Sequence, residues 1–199
     1  TPDTVVTTGR NFRVNGHPIL DVARSEQLSI TDVIVKSSNI GVAKIALSLD
    51  PQIMWELFTD LEIGERSHLN LVGEPMGTKG DLRKWQLNDF EYVTKSYGYG
   101  ISINAVKLAQ IYTVFANEGV LRPLRLAMHE PMRPTKRIFS PKVANDVLDM
   151  MELALDKKRG GGGWRAAVPQ YRVAGKSGPV RKSVAGGYTN QRHQSFLVA

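Results

Sequence analysis

Between Asp50 and Leu155 the apolar residues recur at the three- and four-residue spacing of helix faces, and beyond Gly163 that periodicity gives way to short extended runs. This order constrains the fold more than composition does. Helices followed by strands bury their apolar faces as an α+β domain, whereas a parallel α/β sheet needs strands and helices in alternation. The helix starts carry cap signals: Ser29-Ile30-Thr31-Asp32 has the form of a capping box, Asp50 precedes Pro51, Asn104 precedes an apolar run, and Ser140 precedes Pro141. Buried helix faces are expected from Ile53, Met54, Leu57, Phe58 and Leu61, from Leu108, Ile111, Tyr112 and Phe115, and from Val143, Val147, Met151 and Leu155, with a shorter helix over 88–96.

The flanking segments read differently. Extended chain is expected from Thr1 to Asp21, with a hairpin over Phe12 to Ile19 turning on Asn15-Gly16. A short helix opening at Ser29 should stop near Ser37-Ser38-Asn39, and a second apolar stretch follows from Ile40 to Leu47. Residues 64–84, punctuated by Gly and Pro, read as a long loop, Tyr97-Gly98-Tyr99-Gly100 as a turn, and Gly160 to Gly163 as a flexible linker. Strands are expected over Tyr171 to Lys176 and Ser195 to Ala199, with a turn at Gly186-Gly187. A two-stranded hairpin is barely stable alone, so the chain is expected to be a fragment whose sheet continues elsewhere.

Composition narrows the class. The chain has 199 residues, 42% hydrophobic and 23% charged, which suffices for a packed domain and argues against disorder. There is no cysteine, so disulfides, thiol catalysis and cysteine metal sites are excluded. No run approaches the length of a membrane span, so any anchor is expected outside these residues. The net charge is +7, and from Lys157 to Ala199 there are nine Lys or Arg and no Asp or Glu. Such a stretch is either a solvated surface or one that gathers anionic ligands. No nucleic-acid-binding module accompanies it.

Two triplets carry chemistry. Ser37-Ser38-Asn39 lies between two helical segments, and Lys176-Ser177-Gly178 ends a predicted strand. Alone, a Ser-Ser-Asn run is an ordinary turn or cap. Gly175-Lys176-Ser177 also matches the end of a phosphate-binding loop, but Gln170 stands where that loop needs glycine, and no helix pattern follows Ser177. In order and context the two triplets resemble the S-x-N and K-T-G motifs of penicillin-binding proteins and serine β-lactamases, whose first motif is S-x-x-K. The segment Lys36 to Leu47, the Tyr97-Gly98-Tyr99-Gly100-Ile101 turn with Asn104 to Ala109 behind it, the Gly-rich loop, Arg165 to Val168 and Tyr171-Arg172-Val173 extend the likeness over nearly the whole chain. The chain is similar to class B penicillin-binding proteins, and within them to the septal, division-specific branch of Gram-negative bacteria.

The resemblance implies a peptidoglycan D,D-transpeptidase, working through an acyl-serine and blocked by β-lactams, with a transpeptidase fold represented here by its helical part and the start of its antiparallel sheet. A β-lactamase-like hydrolase or a non-catalytic penicillin sensor is the alternative on the same fold. No S-x-x-K occurs in the 199 residues, so the nucleophile is expected upstream of Thr1, and the last strands and helix downstream. By resemblance Ser37 relays a proton, Asn39 holds the substrate amide, and Lys176 supplies positive charge. Ser177, Gly178, Pro179 and Tyr99 line the substrate cleft. Ser177 keeps the hydroxyl of the usual threonine. Pro179 departs from the family, which has threonine there: proline has neither the hydroxyl nor the N–H that would serve the oxyanion hole, and the strand is expected to be distorted or an edge at this point. The partners implied are peptidoglycan stem peptides, β-lactams and membrane proteins of the division machinery, with the catalytic domain in the periplasm and the anchor in the inner membrane. No cofactor, metal or nucleic acid is expected, and His17, His68, His129 and His193 have no metal-ligand spacing and read as surface residues.

Overall fold

The computed structural model of the chain describes residues 1–131, 133–184 and 187–199, and their side chains outside 179–194. Strand β1 (Val5–Thr7) pairs antiparallel with β4 (Gln27–Ser29), and between them β2 (Phe12–Val14) and β3 (His17–Ile19) form the expected hairpin on Asn15-Gly16. Both turn residues have positive φ (47° and 79°), as a tight Asn-Gly hairpin requires. Seven helices follow among the described residues: α1 (Ile30–Val35), α2 (Asn39–Leu47), α3 (Pro51–Asp60), α4 (Leu82–Leu87), α5 (Asp89–Ser96), α6 (Ala105–Ala116) and α7 (Pro141–Leu153). A short pair, β5 (Val120–Leu121) with β6 (Lys136–Arg137), precedes α7, and the long hairpin β7 (Lys176–Val184) with β8 (Gly187–Val198) ends the chain. The mixture of a helical middle and antiparallel strands is the α+β arrangement that the periodicity implies.

Side-chain caps fix the helix starts. Ser29, Asp50, Asn104 and Ser140 each accept a hydrogen bond from a backbone N–H of the first turn, as do Ser38, Asp81 and Asn88. Each such cap satisfies a donor that the helix itself leaves orphaned, worth about 1 kcal/mol.

The helices share three apolar cores. Val14, Ile19, Ile40, Ala43 and Val93 join the hairpin to α2 and α5. Ala46, Trp85 and Tyr92 form the second, with Met54, Trp55 and Phe58 against them. Here Trp85 is fully buried and meets Trp55 and Phe58 edge-on at 5.2 and 5.7 Å, while the Tyr92 hydroxyl donates to the Ala46 carbonyl at 3.0 Å. Leu61, Ile111, Val114 and Leu121 make the third. The outcome for this side of the molecule is that α2 lies packed in the centre, with its N-terminus held rather than frayed.

Five expectations are corrected, the first being that Ile53 of α3 and Val143 of α7, expected on buried faces, are exposed. Residues 64–84 are not all loop, because Asp81 caps α4, which delivers Trp85 to the second core. The buried side of α6 is Lys107, Gln110, Ile111 and Val114, so Leu108, Tyr112 and Phe115 are only half-buried. Each of the polar pair is tied inside by a bond: Lys107 Nζ donates to Glu62 Oε2 at 2.6 Å and Gln110 Nε2 to the Arg122 carbonyl at 2.9 Å, while the buried Gln110 Oε1 is left without a partner among the described residues. Residues 171–175 are not a strand, since β7 begins only at Lys176, whereas β8 is longer than expected and starts at Gly187; Gly186 of the expected turn lies outside the described residues. Nor is Gly160–Gly163 a loose linker. Gly160 takes φ 79°, and a Cβ on Gly161 would strike the Ala154 carbonyl while one on Gly163 would sit 2.5 Å from Leu155 Cδ2. Packing thus leaves no room for a side chain at Gly161 and Gly163, and the left-handed backbone favours glycine at position 160.

Among the described residues no helix is long and apolar enough to cross a membrane.

Candidate active site

The junction of α1 and α2 is built on a tight turn. Lys36 closes α1, Ser37 takes φ 53°, and Ser38 starts α2. A non-glycine residue in the left-handed region costs roughly 1–2 kcal/mol and persists only where its surroundings enforce it. Here the Ser37 N–H donates to the Ile34 carbonyl at 3.3 Å and the Ser38 N–H to the Val33 carbonyl at 3.0 Å, which close the end of α1. The two helices approach so closely that a Cβ on Gly41 would lie 2.5 Å from Val33 Cγ2. The result leaves Ser37 exposed, Ser38 buried and Asn39 half-buried, with the first and third residues of the triplet accessible.

A residue that sequence reasoning assigned only to the extended N-terminal segment holds this turn. Asp21 Oδ2 accepts from the Ser38 hydroxyl at 2.5 Å, and its Oδ1 accepts from the Ile40 N–H at 2.9 Å. The Ser38 Oγ in turn accepts from the Gly41 N–H at 2.9 Å. Next to Asp21, the Leu20 carbonyl accepts from Asn39 Nδ2 at 3.0 Å. An amide nitrogen carries two hydrogens, so Asn39 retains one N–H and its carbonyl oxygen for a ligand. The signal for Asp21 in the sequence is slight: α2 has no acidic residue in its first turn, and so its orphan N–H groups call for an anion from elsewhere.

Lys176 comes to the same place from 139 residues away. Its Nζ donates to Ser37 Oγ and, at 3.1 Å, to the carbonyl of Ser177. Burial pushes the Lys176 ammonium below the usual lysine range, because the charged form loses solvation. Lys176 opens β7 opposite Val198, and Gly175 before it is buried against the Val198 carbonyl, where a Cβ would approach to 2.7 Å. Ser177 lies opposite Leu197, Gly178 opposite Phe196 and Pro179 opposite Ser195, while the ladder's irregularity comes later, between Arg181 and Ser183. The strand is therefore regular at Pro179, and the only strand paired with β7 among the described residues is β8, which makes β7 an edge and so able to hold a proline. The packed glycine turn is adjacent: a Cβ on Gly162 would lie 3.5 Å from Ser177 Oγ. Since Ser177 continues along β7, no helix opens there to cradle a phosphate.

Tyr99 sits on the turn after α5, edge-on to Tyr97 at 5.9 Å, and Tyr97 packs against the core that contains Ile40. Burial, helped by Tyr99, pushes the Tyr97 hydroxyl up to about 12 and keeps it protonated. The structure thus joins Ser37 with Lys176, sets Asn39 on the same helix start, and ties the Tyr97 turn to that helix. Elsewhere, Glu62, Glu65 and His68 present ligand atoms within 4.8 Å of one another. Glu62 is already engaged by the fully buried Lys107 ammonium, so the group has a cation of its own.

Comparison with known proteins gives the family and the fold. The family model described as the penicillin binding protein transpeptidase domain matches residues 2–199. The peptidoglycan D,D-transpeptidase FtsI of Escherichia coli K12 is 38% identical over 172 residues, which cover 86% of this chain and 28% of the relative. A probable peptidoglycan D,D-transpeptidase, PbpC, of Pseudomonas aeruginosa is 36% identical over 185 residues, or 93% of this chain and 32% of the relative. The chain thus spans only about a third of the length of these relatives. Among solved structures, the transpeptidase domain of Burkholderia pseudomallei penicillin-binding protein 3 superposes with a TM-score of 0.90 at 36% identity, covering 99% of this chain and 59% of that one. An ampicillin complex of penicillin-binding protein 3 from Mycobacterium tuberculosis shares the fold, with a TM-score of 0.89 at 23% identity over 99% of this chain and 47% of that one. On a family match that runs from its second residue to its last, this chain belongs to the penicillin-binding protein transpeptidase family.

Proposed function

We propose that the protein containing this chain is a peptidoglycan D,D-transpeptidase that cross-links stem peptides in the septal wall and is acylated by β-lactams. The observation that carries this reading is the hydrogen bond from Lys176 Nζ to Ser37 Oγ, which unites two motifs 139 residues apart at the start of α2. The catalytic domain then works in the periplasm, tethered to the inner membrane by a segment outside these residues, beside membrane partners of the division machinery.

In this reading the attacking serine belongs to an S-x-x-K motif that precedes residue 1. Its hydroxyl is a poor nucleophile and needs a base at hydrogen-bond distance. It adds to the carbonyl of a terminal D-Ala-D-Ala bond. The C–N bond then breaks, and the departing amine takes a proton that Ser37 passes on. The Lys176 ammonium, positioned on Ser37 and partly desolvated, makes this hydroxyl a better donor and attracts the terminal carboxylate of the stem peptide. Asn39 offers its remaining N–H and its carbonyl to the substrate amide. Ser177 and Gly178 line the cleft along β7, and Tyr99 lines it from the turn after α5. An amine from a second stem peptide finally displaces the serine and completes the cross-link.

The test is incubation of the full-length protein with a fluorescent penicillin, followed by mass spectrometry of the labelled peptide. The expected label is on a serine of an S-x-x-K motif preceding residue 1. No label, or a label within residues 1–199, would contradict the reading.

A further inference from the structure

The junction between α1 and α2 carries the left-handed Ser37, and besides the backbone bonds that close α1, one carboxylate, that of Asp21, grips the residues that follow it. We propose that Asp21 is a positioning residue for acylation, acting through Ser38 to fix Ser37 and Asn39; the inference rests on the transpeptidase reading above.

The geometry points to a clamp rather than a simple cap. Ser38 is the middle residue of the triplet, and its side chain is buried away from the cleft, so it cannot itself meet a substrate. Its hydroxyl bridges instead: it donates to Asp21 Oδ2 at 2.5 Å and accepts from the Gly41 N–H at 2.9 Å. The second oxygen of Asp21 takes the Ile40 N–H at 2.9 Å. One carboxylate therefore fixes both the side chain of Ser38 and the backbone just past Asn39. The neighbouring Leu20 carbonyl takes an amide hydrogen of Asn39, so two successive residues of one segment grip Ser38, Asn39 and Ile40 in turn. Ser37, in front of this grip, holds φ 53° and receives Lys176. A charged acceptor makes such bonds shorter and stronger than a neutral one, and its charge complements the positive end of α2. Without it, Ser38 loses its acceptor and Ile40 its backbone partner, and the left-handed Ser37 is left to the backbone bonds that close α1.

Asp21 touches neither substrate nor Lys176 in this account, so its removal should misplace groups rather than delete one. A displacement of about 1 Å in a reacting constellation costs about a hundredfold in rate. The experiment uses the full-length protein and a chromogenic β-lactam in stopped flow, separating the first-order acylation constant from the dissociation constant of the non-covalent complex. Asp21→Ala is expected to lower the acylation constant by about a hundredfold with the dissociation constant little changed. Asp21→Asn keeps one acceptor and so should fall between Asp21→Ala and the unaltered protein; it also serves if Asp21→Ala fails to fold. Ile111→Ala, in the separate core of α6, is the stability control: it should lower the melting temperature and leave the acylation constant intact. The proposal is overturned if Asp21→Ala and Asp21→Asn acylate at the unaltered rate, if only the dissociation constant moves, or if Ile111→Ala loses acylation in step with its melting temperature. An unaltered protein that is never acylated overturns the transpeptidase reading and this inference together; normal acylation with indifferent Asp21 variants overturns this inference alone.

Discussion

Replacing Gly41 by Ala tests whether close packing of α1 on α2 sets the candidate site. Alanine is ordinarily the better helix residue, by about 1 kcal/mol. At this position the added methyl would lie 2.5 Å from Val33 Cγ2, 3.0 Å from Val33 Cγ1 and 3.1 Å from Ser38 Oγ. Both Val33 methyls face it, and a helical valine has one strongly preferred rotamer, so turning the side chain does not open the space. Overpacking of this kind costs about 1–3 kcal/mol. Setting that against the gain in propensity leaves a net loss of about 1 kcal/mol, and for a domain of this size that is a fall of about 2–4 °C in melting temperature. The helices must also separate at the residue whose N–H binds Ser38 Oγ, so the acylation rate should fall with the melting temperature. Differential scanning calorimetry and penicillin labelling of the full-length variant measure the two effects. A melting temperature equal to or above that of the parent would refute the packing argument, because propensity alone would then decide the outcome.

Restoring threonine at position 179 should speed acylation by about 10²–10³, the value of one oxyanion donor, provided that the regular ladder opposite Ser195 positions its N–H for that role; equal second-order rates for both versions would remove Pro179 from the oxyanion hole. Glu62→Gln should cost about 2 kcal/mol in chemical denaturation, because it strips the charged partner from the fully buried Lys107 ammonium, and an unchanged midpoint would show that the pair contributes nothing. Burial pushes Glu74 up, but hydrogen bonds from the Ser67 N–H and hydroxyl and from Asn104, with the Lys107 charge, hold it below the usual carboxylate range. Its contribution to stability is therefore present above that range and lost as pH falls through the depressed folded value, so the melting-temperature gap between the parent and Glu74→Gln should narrow on acidification; a gap that stays constant would contradict this.

What could be read from the sequence was mostly local. The caps at Ser29, Asp50, Asn104 and Ser140 and the Asn15-Gly16 hairpin depend on residues a few positions apart, and all appear as expected. The face of α6 was misplaced because apolar periodicity gives no place to a buried lysine, and only the distant Glu62 makes Lys107 tolerable inside. The start of β7 was placed early because Tyr171-Arg172-Val173 has strand-like composition, yet Arg172 is held by Glu152 of α7 through two nitrogens and is not in a ladder. The four-glycine run looked like a linker for the same reason, since the Ala154 carbonyl and the Leu155 side chain that leave no room at Gly161 and Gly163 come close only in the folded chain. At the candidate site the two triplets could be recognised by their composition, but the carboxylate of Asp21 that clamps one of them could not, because it lies 17 residues from Ser38 and enters only when the hairpin folds back onto α2.

Whether Ser37 and Lys176 act as one unit is decided by a double-mutant cycle on the acylation rate of the full-length protein. Ser37→Ala, Lys176→Met and the double variant are compared with the parent. Residues in contact within one hydrogen-bonded network show interaction energies of about 0.5–3 kcal/mol. Each single variant is expected to lose most of the activity, and the double variant little more than either. Losses that multiply, with no coupling, would mean that the two motifs work independently and that the contact between Lys176 and Ser37 carries no catalytic function.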